Sequence, residues 1–309
     1  MPLRRRSTAP VPDGPAPLAA ALCRHVTTLA MAIGERHTRA PVNLEVAALY
    51  IEKVWRELGL TPRRQTFQVD GVACSNISVL LPGTEPEEVL FGAHYDSVEG
   101  CPGANDNGTG VAALLELTRT MLPRPRRRRL RLVAFVNEEP PYFDTPDMGS
   151  QVYAKAARAR GDDIHAMVCL ETLGAYDHAP GSQLYPPFYE MVAGEAGPDC
   201  GNFIAVVGNL DSAWLVEETA KGIIRSSDLP IETLVAWADV TGVDWSDHAS
   251  FWRQGYPAVI VTDTAPYRYS QYHTPDDTPA VVNFGALAAV TDALGTVADG
   301  LLNRSRSRL

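Results

Sequence analysis

The run at residues 89–117, V-L-F-G-A-H-Y-D-S-V-E-G-C-P-G-A-N-D-N-G-T-G-V-A-A-L-L-E-L, constrains this chain more than any other stretch. An apolar strand at 89–91 delivers His94 and Asp96 at its end. A turn rich in Gly, Pro and Asn then presents Asp106, and an amphipathic helix leaves from Gly108. An imidazole and a carboxylate projecting from one strand end, with more carboxylates in later segments, are the raw material of a metal site.

The remaining chain alternates in the same way. Helical patterns are expected at 18–33, at 43–58 with Asn43 as cap, at 108–122, 147–160 and 211–225, and at the C-terminus behind Asn283, which caps Phe284, Leu287, Val290, Leu294, Val297 and Leu301. Strand patterns fall at 76–81, 89–91, 130–136, 166–170, 203–207, 231–236 and 257–261. The alternation predicts an α/β fold, a three-layer αβα sandwich with a mostly parallel, mixed sheet covered by helices on both faces. Residues 1–17, rich in Pro and Arg, read as a disordered tail, and 18–309 as a single catalytic domain.

Ligands in such a fold bind beyond the carboxyl ends of the strands. His94, Asp96, Glu138, Glu139 and Glu171 all stand just past a strand end. Two metals sharing a bridging carboxylate need about five protein ligands, plus one free carboxylate to take a proton from water. The chain supplies His94, Asp106, Glu139, Glu171 and His273 as ligands and Glu138 as the spare acid. Asp96 is expected to accept the second ring N–H of His94. Pro140 and Pro141 restrict the turn after Glu139.

Composition excludes several classes. A formal charge of −10 argues against a nucleic-acid or membrane-surface partner, and the arginine run at 124–131 reads as a solvated lead-in to a strand. Five scattered cysteines without a C-x-x-C pair fit neither a disulfide framework nor a thiolate zinc module. The apolar run after Arg4–Arg6 is broken by Arg24 and His25, so no signal peptide is expected. No stretch reads as a membrane span, and a cytoplasmic protein follows. Ser246-Asp247-His248 are chain neighbours and make a poor triad; Asp247 reads as a helix cap. Oligomeric state is open.

The motif set resembles the co-catalytic di-zinc aminopeptidase family, which also includes glutamate carboxypeptidases and glutaminyl cyclases. The matching segments are H-Y-D at 94–96, G-A-N-D-N-G-T-G at 103–110, N-E-E at 137–139, L-E-T-L-G at 170–174 and Y-H-T-P-D-D-T at 272–278. The likeness implies two Zn²⁺ ions bridged by Asp106, one completed by His94 and Glu171, the other by Glu139 and His273. It implies that Glu138 is general base and then acid in hydrolysis of peptides with a free N-terminus. Tyr272 would be either an oxyanion donor or a packing aromatic. It also raises a cis peptide after Asp106. Glu171 departs from relatives that carry Asp at that point. Three rivals remain open at this level: a one-zinc glutaminyl-cyclase-like acyltransfer, a carboxypeptidase with Arg268 on the substrate carboxylate, and a non-catalytic binding module.

Overall fold

The computed structural model describes residues 3–7, 10–187 and 189–304. Eight strands form one mixed sheet: β1 (Arg63–Val69), β2 (Val72–Leu81), β3 (Glu88–His94), β4 (Arg129–Phe135), β5 (Ile164–Glu171), β6 (Ile204–Asn209), β7 (Ile231–Ala236) and β8 (Ala258–Thr262). Their spatial order is β1-β2-β4-β3-β5-β8-β6-β7. Pairings β3–β4, β3–β5, β5–β8 and β6–β7 are parallel; β1–β2, β2–β4 and β6–β8 are antiparallel. The α/β sandwich with a mixed sheet is therefore the fold.

The helices are α1 (Ala16–Thr27), extended by a π-helical stretch at Thr28–Ile33, α2 (Pro41–Glu57), α3 (Gly110–Met121), α4 (Gly149–Arg160), α5 (Tyr189–Ala193), α6 (Ala213–Ser226), α7 (His248–Trp252) and α8 (Phe284–Asn303). Strand alternation sorts them onto two faces. On one face Val89, Phe91, Leu130, Leu132, Ala166 and Val168 pack with Leu22, Leu114, Ile223 and Leu294 of α1, α3, α6 and α8. On the other, Leu90, Val133, Phe135, Met167 and Cys169 pack with Tyr153 of α4 and Phe251 of α7.

Several expectations need correction. β1 carries little strand signal because R-R-Q-T-F-Q-V is polar apart from Phe67 and Val69, on an edge strand, half of it exposed. α2 begins with Pro41 in its first turn after Ala40, so Asn43 lies inside the helix rather than capping it. Asn283 does cap α8, its side chain accepting the Ala286 N–H at 3.0 Å. Two helical runs, Ala16–Ile33 and Phe284–Asn303, are long and apolar enough to cross a bilayer by length and composition; the second is 72% buried inside the protein.

The described part of the expected tail is not loose. Arg5 exchanges N–H···O bonds of 3.0 and 2.9 Å with Ile231 on the outer edge of β7, and Val11 is buried. The arginine run is structural: Arg127 pairs with Glu85, Arg128 with Glu87 and Arg131 with Glu88. Arg128 also donates to the carbonyls of Leu301 and Arg304.

Candidate metal centre

Topology brings the site together. β4, β3 and β5 are parallel neighbours, about 4.8 Å apart. Their carboxyl ends therefore place Asn137–Glu139, His94 and Glu171 side by side. β8 lies next to β5, and the loop beyond it returns His273 to the same end. The turn between β3 and α3 carries Asp106 into the middle.

The donor atoms fall into two groups, His94–Asp106–Glu171 and Asp106–Glu139–His273, each with ligand atoms within 4.8 Å of one another. His94 Nε2 is 3.3 Å from Asp106 Oδ1 and 3.3 Å from Glu171 Oε2. His273 Nε2 is 3.1 Å from Asp106 Oδ2 and 3.1 Å from Glu139 Oε2. Asp106 thus turns one oxygen to each group. Glu138 Oε2 stands 3.8 Å from His94 Nε2 and belongs to neither.

The residues fit a pair of cations. His273 Nε2 and the buried Glu139 Oε1 have no hydrogen-bond partner among the described residues, although His273 Nε2 sits between two carboxylate oxygens. Burial pushes Glu139 up to about 8, with the charge of Asp106 adding to it, and raises Glu138 and Glu171 as well. Burial alone would lower both histidines, but the neighbouring carboxylates outweigh it: His273 reaches about 10, and His94 stands well above its ordinary value. So many acids in one dry place call for positive charge, which bound dications supply.

Around the ligands lies a frame that sequence reasoning missed. Asn105 and Asn107 flank Asp106 and lock it to the loop after β5. Asn105 Oδ1 accepts the Gly174 N–H at 2.9 Å, and Asn107 Oδ1 accepts the Thr172 N–H at 3.0 Å. Asn107 Nδ2 donates to the Leu170 carbonyl at 2.8 Å. The Asp106–Asn107 peptide is cis. Asp277, from the last motif, receives the N–H groups of Asn105 and Asp106 at 2.9 and 3.1 Å, so the late segment orients the early one.

Asp96 does more than the sequence suggests. Its Oδ1 lies 3.5 Å from His94 Nδ1, and its two oxygens also accept the N–H groups of Glu138 and Glu139, each at 3.1 Å. It thereby sets the turn that separates the two glutamates. Asn137 before that turn, Thr172 after Glu171, and His273 itself all have positive φ, of 59°, 46° and 57°. Such strain in non-glycine residues clusters at functional sites and costs roughly 1–3 kcal/mol each.

Four more residues differ from their sequence reading or extend it. Asp247 precedes α7, but its side chain caps nothing; it is buried, and burial lifts it to about 7. Ser246 beside it donates to Glu171 Oε2 at 2.7 Å. Arg268 is half-buried, with Nε on Gln183 Oε1 and Nη1 on the carbonyls of Ala175 and Phe203, leaving only Nη2 without a partner among the described residues. It is spoken for by the fold and makes a poor carboxylate clamp. Tyr272 stacks on His273 at 3.8 Å and lines a cavity with Asp106, Glu138 and Glu171.

Fold and site together define a hydrolase of the metallopeptidase class. The sequence model of peptidase family M28 matches residues 76–298, and the chain belongs to that family. It is 36% identical over 264 residues to the uncharacterized protein YfbL of Escherichia coli, covering 82% of this chain and 80% of YfbL. It is 23% identical over 278 residues to a probable leucine aminopeptidase of Arthroderma otae, covering 85% of this chain and 67% of that one. Among solved structures it superposes on the zinc aminopeptidase BSAP of Bacillus subtilis with a TM-score of 0.72 at 16% identity, covering 94% and 96% of the two chains. Zinc aminopeptidases and glutaminyl cyclases both occur among the structures that share the fold.

Proposed function

We propose that this protein is a di-zinc aminopeptidase that removes N-terminal residues from peptides. One observation carries the reading: two three-residue groups share Asp106, and Glu138, 3.8 Å from His94, belongs to neither. His94, Asp106 and Glu171 would hold one ion, and Asp106, Glu139 and His273 the other. Zinc held there supplies Lewis acidity toward water and toward the scissile carbonyl.

The chain's own residues do the rest. Glu138, buried and therefore more basic than an ordinary carboxylate, takes a proton from the attacking water and passes it to the leaving amine. Such a group contributes ~10²–10⁴-fold. Tyr272 faces the same space and donates its O–H to the tetrahedral oxyanion. Asp96 keeps Glu138 and Glu139 apart by holding both their N–H groups. The acidic wall of Glu138 and Glu171 favours a substrate ammonium over a carboxylate. We place the protein in the cytoplasm, where its five free cysteines would stay reduced.

The test is Glu138→Gln. It should lower hydrolysis of leucine p-nitroanilide at least a hundredfold while two zinc ions per chain remain by elemental analysis. Chelation should abolish activity and Zn²⁺ restore it. Near-normal turnover by purified Glu138→Gln would refute the mechanism, and one zinc per chain would point to the acyltransfer alternative.

A further inference from the structure

The metal centre opens into a cavity of about 1140 Å³, counting the part open to solvent. Its floor is a single row of paired residues across the sheet. Glu171 pairs with Thr262, Thr262 with Ala205, and Ala205 with Glu232. All four line the cavity. Three strand spacings put Glu232 about 14 Å from Glu171. The first two residues after the metal centre are small, so the floor is a gallery leading from the reacting end to a carboxylate. Aromatic side chains, among them Tyr185, Phe203 and Tyr267, form its walls.

A carboxylate at the end of such a gallery would ordinarily select basic side chains. Here it is covered. Residues 3–7 run along the edge of β7, joined to it through Arg5 and Ile231 and through the Leu3 carbonyl, which accepts the Thr233 hydroxyl at 2.9 Å. Alternation sends Arg4 and Arg6 to one side and Arg5 to the other. Arg4 Nε reaches Glu232 Oε2 at 2.9 Å, and Arg6 Nε reaches Glu232 Oε1 at 2.7 Å. Arg5 turns away, to the Ile224 carbonyl at 2.6 Å. Each oxygen of Glu232 therefore has its own guanidinium, and Glu195 balances the second positive charge.

We infer that Arg4 and Arg6 set the side-chain specificity of this protein. By neutralising Glu232 they leave the far end of the gallery without net charge, so that it receives large uncharged side chains and refuses lysine and arginine. This rests on the aminopeptidase reading and adds to it a specificity device built from the N-terminal segment. Stripped of the two arginines, the same floor would receive a basic side chain.

The experiment compares kcat/KM of the zinc-loaded full chain on leucine, phenylalanine, lysine, arginine and α-glutamyl p-nitroanilides. The unsubstituted protein should prefer leucine and phenylalanine. In Arg4→Ala/Arg6→Ala the arginine-to-leucine ratio should rise at least tenfold, and adding Glu232→Gln should return it to within twofold of the starting value. Glu232→Gln alone leaves one of the two guanidinium charges without a carboxylate, since Glu195 still answers the other, and should raise the glutamyl-to-leucine ratio instead, which keeps the idea testable if the arginine variant misfolds. Ratios unchanged within twofold in these variants would overturn the inference. So would a gain for arginine that survives Glu232→Gln. If the unsubstituted protein cleaves none of the five, the aminopeptidase reading fails. The relative calorimetric affinities of argininamide and leucinamide in the same variants then decide this inference, with the same tenfold change expected and no change refuting it.

Discussion

Arg36 should be worth about 3 kcal/mol to this fold, though it touches no ligand. It is completely buried and donates to five carbonyls: Tyr95 at 2.8 Å, Leu29 at 3.1 Å, Gly34 at 2.9 Å, Pro102 at 2.6 Å and Gly103 at 3.0 Å. Leu29 and Gly103 keep a second donor, the N–H groups of Gly34 and Gly108. The other three lose the donor described here when the guanidinium goes. A buried carbonyl left unpaired costs about 1–3 kcal/mol, and water admitted to the space holds each to the low end, so Arg36→Met should cost about 3 kcal/mol. The loop it grips, 95–103, spans the gap between His94 and Asp106. Zinc affinity should therefore fall by about tenfold as well, adding roughly 1.4 kcal/mol to the loss with zinc in excess. Arg36→Lys, with fewer donors, should restore only part. Urea unfolding of chelated and zinc-loaded protein reads both terms. A loss below 1 kcal/mol with unaltered zinc affinity would refute the reasoning.

Gly110→Ala would place a methyl 2.3 Å from Asn107 Oδ1 and 2.5 Å from the Leu170 carbonyl. It should destabilise by at least the roughly 1–3 kcal/mol of an overpacked core and lower zinc content, checked by unfolding and elemental analysis. Asp277→Asn removes one of the two acceptors that hold the Asn105 and Asp106 N–H groups, and should weaken zinc binding roughly 10–100-fold in a chelator competition. His248 is buried, its ring donating to the Val243 carbonyl, and burial lowers it from 6.5 to about 4. The unfolded chain then binds a proton that the folded chain refuses. The contribution is fully present above pH 6.5 and is lost as pH falls toward 4, by about 3 kcal/mol in all. His248→Gln should flatten that part of the stability–pH curve.

The division between what could and could not be read from the sequence has a physical basis. That the candidate ligands would meet was legible because a strand-end histidine or glutamate next to glycines and prolines has few structural uses, and because parallel strands present their carboxyl ends together whatever their separation in the chain. Arg36, Asp277 and the role of Asp96 were not legible. Each acts through backbone groups, and backbone groups carry no sequence signature. The side chain that will receive a given N–H is fixed only when two distant segments meet. Asp96 shows the difference: proximity to His94 was readable from H-Y-D, but its oxygens also receive the N–H groups of Glu138 and Glu139, in the turn beyond another strand.

The same limit explains the N-terminal segment. Arg4 and Arg6 in a Pro-rich stretch have the composition of a tail, and composition reports only that a segment cannot build a core of its own. It is silent on whether an edge strand elsewhere offers free N–H and C=O groups. β7 offers them at Ile231, and the alternation of a strand then aims two arginines at one buried glutamate. An unpaired carboxylate in that position would be costly. The segment's order and the charge at the end of the gallery thus have one cause, and a change that loosens residues 3–7 should alter specificity before it alters the metal centre.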